Sequence, residues 1–235
     1  MSVSAEPRSW TEPHAWLWVA GSLVESRDWP AWMATGEAGL QAAANLDGRT
    51  LGEGRGAAHA VDLGSGHHGV WRINRHGGLL GGLQGDRYRN AKRLQEEVFL
   101  SESLRAEGVA TPRVLLAFGC RSGGGWRQHL VTEEVRDAQT VFQAREEQPA
   151  MDAAAALMDQ VFQLGLWATD LHPDNLLWRT ADQSCWLLDL AGAKRFEVPL
   201  GADQRQARVE RFLRYFRKHA GEEPSTASVV RALCS

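Results

Sequence analysis

The sequence has few cysteines, and their spacing suggests neither a cross-link nor a structural metal. Cys120, Cys185 and Cys234 are the three cysteines of the chain, and they lie far apart with no CxxC pair among them. A small secreted domain would carry a disulfide framework, and a structural zinc site would carry closely paired cysteines. Neither class is supported, and the composition fits a reducing cytoplasm.

The sequence also lacks an apolar run long enough to cross a bilayer, which takes about 20 residues. The best run near the N-terminus, AWLWVAGSLV, has only ten residues. Glu6 and Glu12 precede it, where a secretory signal would carry basic residues. We therefore expect no membrane span and no signal peptide.

An excess of positive charge is missing as well. The chain of 235 residues has 26 Lys and Arg against 29 Asp and Glu, for a net charge of -3. This balance argues against a protein that coats nucleic acid, so we expect no nucleic-acid partner and only local basic sites. With 43% hydrophobic and 23% charged residues, the chain can bury the core of one large domain or of two small lobes.

The region from Gly52 onward contains a series of strand and helix signals. Two apolar-alternating runs, GEGRGAAHAVDL and GVWRINRHGG, flank GSGHHG and predict a β-hairpin. Leu94, Val98 and Leu104 then recur near helical spacing, and the runs RVLLAFGC and QHLVTEEV predict two more strands. The segment before residue 45 shows no clear period, and we interpret it as an extension packed on the main body.

The second half of the chain begins and ends with predicted helices. The alanine-rich segment 150–167 leads directly into a polar stretch, WATDLHPDNLLW. The last helix, within ADQRQARVERFLRYFRKHAG, has one apolar stripe, which consists of Val209, Phe212, Leu213 and Phe216. Between Asp203 and Lys218 this helix has six positive residues against two negative ones.

The polar stretch contains residues that suit phosphoryl transfer. Asp170 and Asn175 precede the run LLW, and within CWLLDL Asp189 ends a second apolar strand, fourteen residues after Asn175. Two antiparallel strands joined by a turn at RTADQS would bring all three to one rim. One carboxylate could accept a proton from the attacking hydroxyl, while an amide and a second carboxylate bind magnesium. The alternative is that Asp170 and Asn175 only cap turns.

A nucleotide clamp would then lie upstream. Gly52, Gly54 and Gly56 would let the backbone approach phosphates closely, although a plain hairpin turn explains them equally well. Arg72 lies within a predicted strand, and Glu97 on the following helix could hold it in a buried ion pair. The alternatives are a solvated strand face for Arg72 and a solvated helix face for Glu97.

The order of these features resembles the protein-kinase-like fold, and TDLHPDNLL is also similar to the aminoglycoside and choline phosphotransferases. RHGGLLGGLQGDRY, residues 75–88, and VERFLRYFRK near the end resemble the Kdo (3-deoxy-D-manno-octulosonic acid) kinase branch of the lipopolysaccharide kinases. That family has an arginine-glycine-glycine segment leading to Asp-Arg-Tyr, and a basic terminal helix. The resemblance extends from about Gly52 to Lys218.

The resemblance implies a fold and a role for each site residue. The expected fold is α+β and two-lobed, with an extension over 1–50, an antiparallel N-lobe over 51–136 and a reduced, mostly helical C-lobe over 137–235. The expected roles are these: Asp170 is the general base, Asn175 and Asp189 bind magnesium, Arg72 binds phosphate, Glu97 is its partner, and Gly52, Gly54 and Gly56 form the nucleotide loop.

The chain departs from the family pattern at a few positions. Ala168 stands where the catalytic loop usually has histidine, Leu190-Ala191 follows the metal-binding aspartate, and Tyr215 replaces a helix serine. No Ala-Pro-Glu segment follows Asp189, so a protein substrate is not expected. None of these changes removes a group that would contact the transferred phosphate.

The expected function is transfer of the γ-phosphate of ATP, with Mg²⁺, to a hydroxyl of the Kdo sugar of lipid A. The expected location is the cytoplasmic side of the inner membrane, where the basic terminal helix would meet anionic lipid. That helix could instead be an ordinary solvated helix. The alternatives for the whole chain are a small-molecule phosphotransferase acting on an aminoglycoside-like compound or another sugar, and a nucleotide-binding pseudokinase.

Overall fold

A computed structural model describes residues 5–47, 49–51, 58–64, 66–74 and 86–234. The chain divides into two compact units. Unit 1 comprises residues 1–99 and 113–134, and unit 2 comprises residues 100–112 and 135–235. Among the described residues, no helix has the length and hydropathy required to cross a bilayer.

Unit 1 is built on an antiparallel sheet in which the described strands follow the order β1-β2-β6-β7-β5-β4-β3. The strands are β1 (Arg8–Glu12), β2 (Ala15–Val19), β3 (Thr50–Leu51), β4 (Ala58–Asp62), β5 (His68–Ile73), β6 (Val114–Ser122) and β7 (Gly125–Glu133). The helices are α1 (Trp29–Met33), α2 (Gly36–Asp47) and α3 (Lys92–Ala106), with a 3-10 turn at Gly21–Ser26. The boundary between the units falls within α3, after Phe99.

The predicted hairpin, helix and strand pair of unit 1 are present. β4 pairs with β5 in the register Ala60↔Val70, and β6 pairs with β7 along most of their length. The glycines Gly52, Gly54 and Gly56 lie outside the described residues, as does most of the 75–88 segment.

The described part of the N-terminal segment belongs to the main sheet of unit 1, because β1 and β2 are two of its strands. β2 pairs with β6 in the register Leu17↔Phe118, and every residue of β2 is buried. A strand covered on both faces has no polar alternation, so its sequence gives no period-2 signal. For this reason the sequence showed no clear pattern here.

Unit 2 combines helices with short strands. Its strands are β8 (Gln139–Thr140), β9 (Leu166–Trp167), β10 (Leu176–Arg179), β11 (Ser184–Leu187) and β12 (Lys194–Arg195), and its helices are α4 (Gln148–Gln163), α5 (Ala202–His219) and α6 (Ser228–Arg231). Short 3-10 segments cover Pro173–Asn175, Ser225–Ala227 and Ala232–Cys234. The described strands form the sheets β11-β10-β8 and β12-β9.

The core of unit 2 fixes helix α5 in place. The predicted stripe of Val209, Phe212, Leu213 and Phe216 is buried and packs with α4 residues such as Met158 in one cluster. Each fully buried phenylalanine contributes about 1.5–3 kcal/mol of hydrophobic stabilisation. The opposite, polar side of α5 is therefore presented in a defined orientation to the rest of unit 2.

Candidate active site

The loop after α4 is the core of the candidate site. Gly165 begins it with φ +72, and a Cβ there would lie 2.4 Å from the carbonyl oxygen of Phe196, so only glycine fits. The chain then forms β9, passes Asp170, turns through Pro173–Asn175 and enters β10. The side chains of Leu171, within the loop, and Leu176, at the start of β10, are buried and anchor the loop.

Asn175 closes this loop. Its side-chain Nδ2 donates to the backbone carbonyl of Asp170 at 2.8 Å, and its backbone N donates to the carbonyl of His172 at 2.9 Å. The amide nitrogen thus caps the turn of this loop, which is the alternative role that the sequence allowed for Asn175. Within the described residues no donor is recorded for the amide oxygen Oδ1, so it can serve as a ligand.

Asp189 lies at the same end of the β10–β11 hairpin as Asn175. The strands pair in the register Leu176↔Leu187, and the backbone N of Leu188 donates to the carbonyl of Asn175 at 3.0 Å. Asp189 follows directly, and its Oδ1 accepts from the backbone N of Ala191 at 2.9 Å. The structure brings the two predicted ligands together, and their amide and carboxylate oxygens are the donors that Mg²⁺ prefers.

Two side chains, from Arg211 and His172, lie next to the carboxylate of Asp170, and the sequence did not predict this arrangement. The guanidinium of Arg211 on α5 forms an ion pair with its Oδ1, and Nε2 of His172 lies 3.8 Å from its Oδ2. Burial lowers the pKa of His172, and the carboxylate of Asp170 offsets only part of that shift. His172 is therefore neutral near pH 7, and Arg211 is the cation facing Asp170.

Arg208 holds the segment before Asp170 from the same face of α5. Its Nη1 donates to the carbonyls of Ala168 and Thr169 at 3.2 and 3.0 Å, and its guanidinium carbon lies 3.8 Å from the ring centroid of Trp167. Burial, followed by the neighbouring charge of Arg211, lowers the pKa of Arg208. Ala168, which replaces the usual histidine, is itself buried, and Arg208 supports its backbone.

Tyr215 contacts the loop one turn further along α5. Its hydroxyl donates to Oδ2 of Asp174 at 2.5 Å, while Thr140 donates to Oδ1 at 2.9 Å. Its ring stacks on His172 with centroids 4.5 Å apart. Burial, followed by the bond to Asp174, raises the pKa of Tyr215 to about 12.

The spacing of three residues in the sequence already indicates this face of α5. Positions 208, 211 and 215 recur at three and four residues, which places them on one side of a helix. From the sequence, the basic residues of this helix were expected either to meet anionic lipid or to form an ordinary solvated face. The structure shows that Arg208, Arg211 and Tyr215 contact the loop that contains Asp170.

Unit 1 contains the other predicted pair. Arg72 on β5 forms an ion pair with Glu97 on α3, and their side chains are 27% and 3% exposed. Neither residue is on a solvated face, so the structure agrees with the predicted contact. Their part in nucleotide binding stays a prediction.

Asn74, which the sequence did not single out, completes that pair. Its Oδ1 accepts from Nη1 of Arg72 at 2.8 Å, and its Nδ2 donates to Oε2 of Glu97 at 3.1 Å. Gln128 adds a further contact to the Asn74 amide at 3.4 Å, and its own Nε2 donates to the carbonyl of Asn90. Both ends of the ion pair are therefore supported by neutral amides.

Two solved structures resemble the chain in fold. One is WaaP in complex with acyl carrier protein, with a TM-score of 0.50 and 16% identity, and it covers 90% of this chain and 92% of its own. The other is the amicoumacin kinase hAmiN in complex with AMP-PNP, Ca²⁺ and Ami, with a TM-score of 0.55, 11% identity and coverage of 79% and 70%. The predicted α+β, protein-kinase-like fold is confirmed.

Sequence relatives lead to one family. Enzymes named 3-deoxy-D-manno-octulosonic acid kinase from Vibrio vulnificus and Vibrio cholerae are each 28% identical to the chain. The V. vulnificus match covers 63% of this chain and 64% of the relative, less than two thirds, and the V. cholerae match covers 73% and 75%. The family model for the lipopolysaccharide kinases (Kdo/WaaP) matches residues 42–232. Because that match spans most of the sequence, the chain belongs to the lipopolysaccharide kinase (Kdo/WaaP) family.

Proposed function

We propose that this protein transfers the γ-phosphate of ATP to a hydroxyl of the Kdo sugar of lipid A, during lipopolysaccharide synthesis. The observation that carries the proposal is the hairpin rim of unit 2, where Asn175 closes the loop behind Asp170 and lies beside Asp189. The names of the Vibrio relatives and the family of the chain support the choice of sugar.

Asp170 is the proposed general base. The acceptor oxygen bonds to the γ-phosphorus while the bond between that phosphorus and the β,γ-bridging oxygen breaks and ADP leaves. The hydroxyl proton passes to a carboxylate oxygen of Asp170. Positioning of the hydroxyl and electrostatic stabilisation supply most of the rate enhancement in such transfers.

Asn175 and Asp189 are the proposed magnesium ligands. When bound, Mg²⁺ offsets negative charge on the nucleotide phosphates during transfer. Asn175 would offer its amide oxygen, because its amide nitrogen is used by the loop, and Asp189 would offer a carboxylate oxygen. Within unit 1, Arg72 is the proposed phosphate-binding cation, and Glu97 and Asn74 hold its guanidinium in position.

A lipid-linked acceptor would bring the protein to the anionic cytoplasmic face of the inner membrane. Arg208 and Arg211 are engaged with the loop, so they are not the residues that would meet lipid. Arg214 and Lys218 are exposed on α5, and within the described residues no ion-pair partner is recorded for either. Each basic residue near an anionic surface contributes about 1 kcal/mol.

The test of the proposal is transfer of labelled γ-phosphate from MgATP to purified Kdo-lipid A and to a panel of soluble sugars and aminoglycosides. We expect label on Kdo-lipid A, and we expect Asp170→Asn to lose it while retaining ATP binding. Asp182→Asn is a matched control, because Asp182 lies in the turn at the other end of the same hairpin and pairs with Arg179. Full activity of Asp170→Asn would remove Asp170 from the role of base.

Asp189→Asn tests the metal site separately. It should weaken magnesium-dependent nucleotide binding, measured as ATP affinity with and without Mg²⁺, whereas Asp182→Asn should not. Unchanged affinity in Asp189→Asn would exclude it as a ligand.

A small-molecule phosphotransferase is the second candidate, since the solved amicoumacin kinase shares the fold. Label on a soluble compound alone would select it. ATP binding with no acceptor labelled would select a nucleotide-binding pseudokinase.

A further inference from the structure

The ion pair with Arg211 occupies Asp170, so this carboxylate is not always available as a general base. A general base must come within about 3 Å of the hydroxyl oxygen whose proton it accepts. Here Oδ1 of Asp170 is paired with the guanidinium of Arg211, and Nε2 of His172 lies 3.8 Å from Oδ2. An acceptor that reaches Asp170 therefore also meets Arg211.

The pair is open enough to exchange partners. The side chains of Arg211 and Asp170 are 41% and 43% exposed, so solvent and ligands reach both groups. The backbone of Arg211 is fixed by the buried residues Phe212 and Leu213 that follow it on α5. A guanidinium on a fixed helix can therefore change its ion-pair partner by side-chain motion alone.

Three buried polar atoms near Asp170 have no hydrogen-bond partner in the described part of the chain. They are Nε of Arg208, Nε of Arg211 and Nδ1 of His172. Buried polar groups are nearly always satisfied, and such exceptions indicate a missing ligand or water. The two arginine nitrogens can only donate, so the group that they lack is an acceptor.

Of the two arginines, Arg211 is the one able to bind that acceptor, because Arg208 is already engaged. The Nη1 of Arg208 is occupied by the carbonyls of Ala168 and Thr169, and its plane covers Trp167. Its positive charge nevertheless adds to the attraction for an anion beside Arg211. An arginine fork matches a carboxylate with two parallel hydrogen bonds, which gives both strength and orientation.

We propose that Arg211 binds a carboxylate of the acceptor and, in doing so, releases Asp170 to accept the proton of the acceptor hydroxyl. This inference rests on the proposed function, because 3-deoxy-D-manno-octulosonic acid is an acidic sugar. An acceptor without a carboxylate leaves Arg211 on Asp170, so the base stays blocked. Arg211 thus selects acidic sugars over neutral or cationic ones.

The test compares Kdo-lipid A with the same acceptor methyl-esterified at the Kdo carboxylate. The wild-type protein should use the free acid about 10- to 100-fold better in kcat/KM, the range expected for a charge-assisted hydrogen-bonded pair. Arg211→Gln should bring that ratio to about one without raising the KM for ATP. Arg211→Lys should retain part of the preference, because lysine keeps the charge but loses the fork.

Arg217→Gln is the matched control. Arg217 lies on the same helix, is 44% exposed and pairs with Glu210 and Glu223, away from the loop. The Arg217→Gln variant should keep the full preference for the free acid over the methyl ester. An equal loss for acid and ester in Arg211→Gln would overturn the inference, since Arg211 would then act only on Asp170.

A binding measurement separates failure of the inference from failure of the proposed function. In Asp170→Asn, Arg211 has lost its partner, so Kdo-lipid A in detergent should bind several-fold tighter than to the wild-type protein. Adding Arg211→Gln to that variant should abolish the gain.

If the wild-type protein transfers phosphate to Kdo-lipid A without preferring the acid, this inference alone fails. If it transfers none but shows the Arg211-dependent binding, the proposed function alone fails, and if it shows neither, both fail.

Discussion

Each unit of the molecule contains an arginine–carboxylate pair that includes a predicted site residue, Arg72–Glu97 in unit 1 and Arg211–Asp170 in unit 2, and the two pairs differ in their surroundings. In unit 1, Glu97 is 3% exposed, and Asn74 bonds to both partners of its pair with Arg72. In unit 2, Asp170 and Arg211 are each more than 40% exposed, and among the described residues the buried Nε atoms of Arg208 and Arg211 have no hydrogen-bond partner. The first pair is enclosed by side chains that satisfy it, and the second is not.

This difference in exposure suits the two ion pairs to different roles. A buried pair that is fully hydrogen-bonded keeps one geometry, because separating the charges leaves one of them unpaired in a poorly solvated place. An exposed pair contributes little to stability and can be replaced by another ion. Arg72 is therefore suited to hold a fixed position, and Arg211 to exchange partners when an acceptor arrives.

Breaking the buried pair should have the largest effect on stability. Glu97→Ala leaves Arg72 without its carboxylate and should destabilise the protein by about 3 kcal/mol or more. Asp170→Ala should cost no more than about 1 kcal/mol, because its pair is exposed. Urea unfolding of the two variants measures both values, and equal losses would contradict the comparison.

Acid should weaken unit 1 through His129. Burial, followed by the nearby charge of Arg127, lowers the pKa of this fully buried histidine to about 4. The unfolded chain, with a pKa near 6.5, binds the proton first, so the stability from this group is complete above pH 6.5. It is lost as the pH falls toward 4, by about 3 kcal/mol in all.

The measurement is the free energy of unfolding across that pH window. His129→Gln should flatten the curve between pH 6.5 and 4, whereas an unchanged slope would exclude His129 as its cause. His172→Gln in unit 2 should have a smaller effect of the same sign, because burial also lowers the pKa of His172.

Tyr215→Phe should have an intermediate effect in unit 2. The change removes the hydroxyl that donates to Asp174 but keeps the ring stacked on His172. A hydrogen bond to a charged group contributes about 1.5–3 kcal/mol, and the partial exposure of this one favours the low end. Thermal unfolding gives the value, and a loss near zero would show that Tyr215 acts through its ring alone.

The smallest effect on stability is expected for Arg211→Gln. Both it and Arg217→Gln remove exposed ion pairs, so each should change the free energy of unfolding by less than about 1 kcal/mol. The two variants should then be alike in urea unfolding and differ in acceptor selection. A large destabilisation by Arg211→Gln alone would assign it a structural role.

The sequence predicted the elements whose patterns are local. The β4–β5 and β10–β11 hairpins follow from alternating runs and turn residues, and the buried face of α5 follows from its helical period. The proximity of Asn175 and Asp189 followed from that second hairpin, because one turn brings the ends of two strands together. The pairing of Arg72 with Glu97 was also predicted, from a strand cation followed by a helix acid.

The contacts that escaped prediction depend on packing between distant segments. Arg211 lies 41 residues after Asp170, and a helical period shows which residues share a face without showing what that face meets. Asn74 joins the buried pair because the fold brings the chain just after β5 next to Glu97 on α3. Strand β2 was missed because burial on both faces removes the alternation that marks a strand.

The position of the new phosphate on the acceptor is the decisive measurement. Kdo-lipid A incubated with the wild-type protein and MgATP would be recovered and mapped by phosphorus–proton correlation NMR. We expect one added phosphate, on a hydroxyl of the Kdo ring that carries the carboxylate. Phosphate on the lipid A glucosamines, or release of inorganic phosphate with the acceptor unchanged, would contradict it.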